Sequence, residues 1–223
     1  MILTGIGLLI AATGHRLLTR IDGRFDLLSD VSDSTLRSDL SKWVITLVLL
    51  AYVLVVEGRS LQSIGATQPD PVPVLGGFGG VAEVGLWWGT GVAGTVFLTY
   101  IMLAVYRIAD LTVPSEFGAE QATRGPIRYG ITAVTAGVTE SLLFQAYPIE
   151  RLTLLTGSVV IAAVAAWVVF TAVHYLGDTF SLEETMYIGA PAAAVTVLYV
   201  LSGSIYVIVL VHTTVVLLSF VSE

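Results

Sequence analysis

The stretch RYGITAVTAGVTESLLFQAYPIERLTLLT, residues 128–156, decides the fold. It is a long apolar run that outspans the roughly 20 residues needed to cross a bilayer core, and it carries Glu140 near its middle. A carboxylate in hydrocarbon costs about 2.5–3.5 kcal/mol on insertion scales, so such a residue faces a cavity or lines a site far more readily than it faces lipid. Glu140 is therefore the first candidate for chemistry.

Outward from this run the pattern repeats. Apolar stretches predict seven helices at 2–19, 43–57, 80–106, 128–156, 158–176, 186–201 and 204–221, the second and sixth short for a full span. With 223 residues, 55% hydrophobic content, 12% charged residues and a mean hydropathy of +0.87, the expected class is all-α, a polytopic transmembrane helical bundle. One integral membrane domain is expected, with N-terminal spans and a loop at 1–58 and a core at 59–223. No internal repeat or low-complexity tract stands out. The amino terminus lacks a basic region before its apolar stretch, which reads as a retained span and not a cleaved signal.

The net charge of −7 argues against nucleic acid as a partner and leaves membrane lipids. One lysine, Lys42, stands against nine arginines; acidic loops and scarce lysine suit a salt-rich setting or follow from membrane composition alone. Without cysteine there are no disulfides and no thiolate metal sites. The segments 20–42 and 107–128 hold most of the basic residues, including Arg20, Arg24, Arg37, Lys42, Arg107, Arg124 and Arg128. The opposite loops hold only Arg59 and Arg151. The positive-inside rule then places the amino terminus outside and the carboxyl terminus in the cytoplasm, in a multi-pass protein of the cell membrane.

Two of the three histidines, His174 and His212, lie in spans after Glu140. The best turn between the fourth and fifth spans is Gly157-Ser158. Glu140 lies 17 residues before Gly157 and His174 lies 17 after it, so both sit about 25 Å from that turn and at one level. His212, nine residues past Gly203, is only about 13 Å from the same side, a mismatch of about 12 Å. Phe170 shares a helix face with His174. His15, beside Arg16, reads as an interfacial residue, Trp43, Trp87 and Trp88 as interfacial or lipid-facing, Glu150 and Arg151 as able to reach interface water, and Glu183 and Glu184 as helix-capping acids. The glycine-rich VLGGFGGVAEVG, 74–85, reads as a close helix contact or an irregular entry into the third span.

These residues resemble a known family. TESLLFQAYPIERL, 139–152, is similar to the first motif of the CAAX-processing and bacteriocin-processing (CPBP, or Abi) intramembrane proteases, two glutamates, three residues and an arginine. FTAVH, 170–174, resembles the second, Phe-x-x-x-His, and SGSIYVIVLVHTTVV, 202–216, resembles the third, which opens His-x-x-x-Asn. RSLQSIGATQP, 59–69, is a softer echo of a loop that many members carry after an early span. The resemblance implies that Glu140, His174 and His212 line a cavity in which the carboxylate activates water for attack on a peptide bond. The substrates it implies are membrane-associated peptides or prenylated protein tails.

The departures are Ser141 for the second glutamate, Gln145 for the arginine and Val216 for the asparagine. Ser141, Gln145, Phe170 and Val216 are thus expected to support the site or bind substrate. Residues 141 and 145 are one turn apart, so a family ion pair is here replaced on both sides by neutral groups, an exchange a fold survives more easily than the loss of one partner. Ser141 and Gln145 are expected to hydrogen-bond instead. The expected mechanism needs no cofactor or metal. If a metal is present, Glu140, His174 and His212 are the ligand set, and zinc is the ion such a set takes. The departures equally suit a catalytically degenerate scaffold or an immunity or partner-binding protein. A proton-coupled carrier is a third class, but the inverted repeats such carriers show are not evident.

Overall fold

The computed structural model describes residues 1–25, 33–73, 77–111, 125–175 and 182–221, with side chains at the margins of these segments left aside. Among the described residues the chain is helical without strands. The helices are α1 (Ile2–Phe25), α2 (Ser34–Ala51), α3 (Gly80–Ile108), α4 (Pro126–Glu140), α5 (Tyr147–Thr156), α6 (Val159–Tyr175), α7 (Leu182–Ser202) and α8 (Ile205–Val221). A wide turn of π-helix, Ser141–Ala146, joins α4 to α5 into one rod, so the eight α-helices among the described residues form the seven expected rods. Among the described residues four rods are long and apolar enough to cross a membrane, Ile2–Asp22, Ser34–Val56, Gly80–Ile108 and Thr185–Ser202, and two shorter ones, Val159–His174 and Ile205–Leu218, are apolar. The chain is a membrane protein.

The α4–α5 rod is central, packing against α1, α2, α6, α7 and α8. Its sequence explains this, since residues 139–149 are apolar or small nearly all round and every one except Phe144 is buried. Pro148 has no N–H to give, and the wide turn just before it absorbs the missing bond: Tyr147 N–H donates to the Leu142 carbonyl, five residues back. The rod passes Pro148 and ends at Gly157, which takes a left-handed conformation (φ 71°).

The second rod differs from the sequence expectation. It starts at Ser34, nine residues before the predicted 43. Asp33 caps it, its carboxylate accepting from the N–H groups of Thr35 and Leu36 at 2.8 and 3.1 Å. The polar residues that broke the hydropathy signal find partners within the bundle: Ser41 Oγ lies 2.9 Å from His15 Nδ1, and Asp39 takes a bond from Thr132 and faces Arg128 at 3.7 Å. Together with the wide turn Tyr52–Val56 this rod is 23 residues long, and the sixth gains length at both ends, so neither is short.

Three other readings are corrected. His15 is engaged with Ser41 and is more than an interfacial residue. Trp87 is buried and its indole donates to the Asp70 carbonyl at 2.6 Å, whereas Trp88 is exposed and Trp43 donates to Thr135 at 3.1 Å. Arg151 is 1% exposed and does not reach water: it is paired with Glu57 at 2.7 Å and donates to the carbonyl and hydroxyl of Ser63. Tyr147 also donates to Glu57, at 2.9 Å, and lies under the Arg151 guanidinium. This knot ties segment 57–64 onto α5. The side chains of Glu183 and Glu184 lie outside the described residues. Of 74–85 the described part is an irregular entry: Gly79 and Gly80 take positive φ with open space around them, and Glu83 accepts from Val72 N–H and Phe78 N–H at 2.5 and 2.8 Å.

Candidate active site

Glu140 closes α4, 9% exposed, and its two carboxylate oxygens face different helices. Oε1 accepts from Lys42 Nζ of α2 at 2.7 Å. Oε2 lies 3.8 Å from His212 Nε2 of α8. That separation is beyond a direct hydrogen bond, and one water can contact both atoms. On the far side of the imidazole, His212 Nδ1 lies 3.5 Å from Ser141 Oγ. Three helices thus converge on one carboxylate, which the apolar setting would otherwise make costly.

Phe170 connects the second imidazole to this group. Its ring centroid is 4.6 Å from that of His174, 6.3 Å from that of His212 and 5.6 Å from that of Phe144. Phe144 and Phe170 are each 13 residues from Gly157, so their contact shows a symmetric register about that turn as far as residue 144. His174 is exposed and its Nδ1 lies 2.8 Å from the Phe170 carbonyl one turn back. The neighbouring Val173 carbonyl accepts from Arg16, which ties the end of α6 to α1. His174 therefore stands at the edge of the group, across a phenyl ring from His212, while Glu140 and His212 face each other directly.

Part of the depth mismatch of His212 has a structural answer. The turn at Gly203 does not reach the level of Gly157: Ser202 and Ser204 are fully buried beneath segment 65–70, with Asp70 N–H donating to Ser202, Ile205 N–H to Gly65 and Ser204 Oγ to Thr67. Tyr199, four residues before Gly203, hydrogen-bonds to Glu150, seven residues before Gly157. The Gly203 turn is thus about 4.5 Å deeper than Gly157. The wide turn at 141–146 also fits an extra residue into its length, which brings Glu140 closer to α5 than α-helical arithmetic allows.

Close approach of α4 and α8 is fixed beside the site by Gly137, where a Cβ would stand 2.0 Å from Thr213 Oγ1 and 3.0 Å from Thr213 N. The backbone atom cannot rotate away, so Gly137→Ala must separate the helices, at a cost of about 1–3 kcal/mol. We expect a lower unfolding temperature in detergent; an unchanged one would mean that α8 is not seated on Gly137.

The supporting residues divide. Ser141 faces His212, whereas the Gln145 amide is buried without a hydrogen-bond partner among the described residues, so the expected exchange of the family ion pair for hydrogen bonds is met at Ser141 and, among those residues, not at Gln145. Val216 contributes its carbonyl, which accepts from the Tyr129 hydroxyl. Lys42 was missed in the sequence because it was counted as a loop charge; its position eight residues into a capped helix was the available signal. Glu140, His174 and His212 as arranged do not fit a zinc ion. Among the described residues no three His, Asp or Glu side chains gather around one point, and an ammonium rests on Glu140 Oε1.

Comparison with protein families matches residues 124–218 to the model described as type II CAAX prenyl endopeptidase Rce1-like. The matched segment holds Glu140, His174 and His212 and agrees with the family that the motifs resemble. No curated protein and no solved structure gives a significant match.

Proposed function

We propose, from the premise that residues 124–218 are an Rce1-like segment, that this protein is an intramembrane endopeptidase that cleaves membrane-associated peptides or prenylated protein tails by Glu140-activated water. The observation that carries the reading is the facing of Glu140 Oε2 and His212 Nε2 across 3.8 Å, from two helices. A carboxylate has about four lone-pair sites, so Oε2 stays available to a water while Oε1 holds Lys42. The water is oriented by His212, gives its proton to Glu140 and attacks the peptide carbonyl carbon; Glu140 then returns the proton to the leaving amine. Ser141 holds His212 from behind, and His174 with Phe170 borders the substrate's approach. The reaction uses no metal. The protein sits in the cell membrane with its amino terminus outside, so the site opens toward the cytoplasmic side.

One observation favours a second reading. The direct Lys42–Glu140 pair can serve as a structural pin between α2 and α4, which suits a scaffold that has lost the family's second glutamate and arginine at Ser141 and Gln145. Full-length protein reconstituted in liposomes with a panel of prenylated and unprenylated tail peptides separates the two. The peptidase reading expects fragments with new amino termini at one bond; intact peptides after incubation with folded protein support the scaffold.

A further inference from the structure

Resting on the peptidase reading, we infer that Lys42 is a third catalytic residue, whose ammonium stabilises the oxyanion formed when water attacks the substrate carbonyl. Three observations carry it. First, Lys42 Nζ touches the carboxylate that takes the proton, at 2.7 Å from Oε1, on the opposite oxygen from His212. A carbonyl carbon attacked by a water on Oε2 brings its oxygen to the neighbourhood of this cation. Second, an ammonium has three N–H donors and Glu140 takes one of them; the nearest other carboxylate on the same helix, Asp39, is held by Thr132 and faces Arg128. Third, Lys42 is the most open of the three, with 23% of its side chain exposed against 12% for Glu140 and 13% for His212.

The chemistry balances without another reactant. The water oxygen bonds to the carbonyl carbon, one water proton passes to Glu140, and the carbonyl π pair moves onto oxygen, where Lys42 donates hydrogen bonds to it. Collapse breaks the C–N bond and Glu140 delivers its proton to the departing nitrogen. Lys42 remains protonated throughout. Val216, one turn beyond His212, has no side-chain donor to offer the developing charge, whereas the cation on α2 does.

The test compares cleavage and binding in reconstituted full-length protein. Lys42→Met is expected to lower kcat by about 100-fold or more, with KM changed by less than about 3-fold, the loss typical of one missing oxyanion donor. Lys42→Arg, which keeps donors and charge, retains at least a tenth of the activity. Because Lys42→Met strands a buried carboxylate and its fold is at risk, a second comparison uses Glu140→Gln with and without Lys42→Met. Its probe is a peptidyl phosphonamidate, an anionic mimic of the tetrahedral intermediate, measured beside the matching uncleaved amide. The phosphonamidate should lose affinity at least about tenfold when Lys42 is removed, and the amide should not, since only the former resembles the charged intermediate. Equal phosphonamidate binding with and without Lys42, or an unchanged kcat in Lys42→Met, overturns the role of Lys42 and leaves the peptidase reading standing. Absence of cleavage by the wild-type protein overturns both.

Discussion

Glu140→Gln should abolish measurable peptide cleavage, lowering kcat by about 10²–10⁴, the usual contribution of a general base. The substitution keeps shape and volume and removes the group that takes the water's proton in the proposed mechanism. Binding of uncleaved peptide should persist, because Glu140 in the proposed mechanism contacts the water and not the substrate's side chains. The fold should survive less comfortably, because Lys42 loses its ionic partner. Rates measured at saturating peptide, beside a thermal unfolding curve for each protein, separate the loss of chemistry from the loss of structure. Equal rates for Glu140→Gln and the native protein would remove Glu140 from the mechanism.

The second large effect concerns stability. The side chains of Glu57 and Arg151 are 4% and 1% exposed, and between them they satisfy Tyr147 and Ser63 as well as each other. Glu57→Gln leaves Arg151 as an enclosed cation with weakened compensation, and Arg151→Met leaves Glu57 as an enclosed anion. Breaking such a pair from one side costs about 3–5 kcal/mol, a large share of a protein's net stability. Either variant should unfold at a clearly lower temperature in detergent, and Arg151→Met should also free segment 57–64 to proteolysis. The double variant Glu57→Gln/Arg151→Met should be less damaged than the sum of the singles, since no charge is left unpaired. Additive losses would show that the two side chains do not stabilise each other.

The helical bundle could be read from apolar runs because lipid-facing and core-facing residues are alike apolar, and seven such runs have few other uses. Glu140 stood out for the same reason, as a charge where hydrocarbon was expected. Counting evenly from the tight turn at Gly157 holds as far as the Phe144–Phe170 contact, beyond which the wide turn 141–146 departs from it. The same arithmetic misled at His212, because the Gly203 turn is buried under segment 65–70 and a sequence does not say how deep a turn lies.

Lys42 was missed through a different failure. A hydropathy window discards polar residues at a helix start, yet Asp33, Ser34 and Thr35 form a capping signal that carries α2 back through them. Arg151 was misplaced in the same way, as a charge near a span end given to water when a tertiary partner 94 residues away held it. Both partners were visible as charges, but the pairing depended on which helices touch.

The most direct measurement is a double-mutant cycle on kcat/KM with Glu140→Gln, His212→Ala and the two combined. If both side chains act on one water, the combined variant should be no more than about threefold worse than Glu140→Gln alone, since residues acting as a unit are strongly non-additive. Losses that multiply, or a His212→Ala protein as active as the native one, would contradict a shared hydrolytic water between α4 and α8.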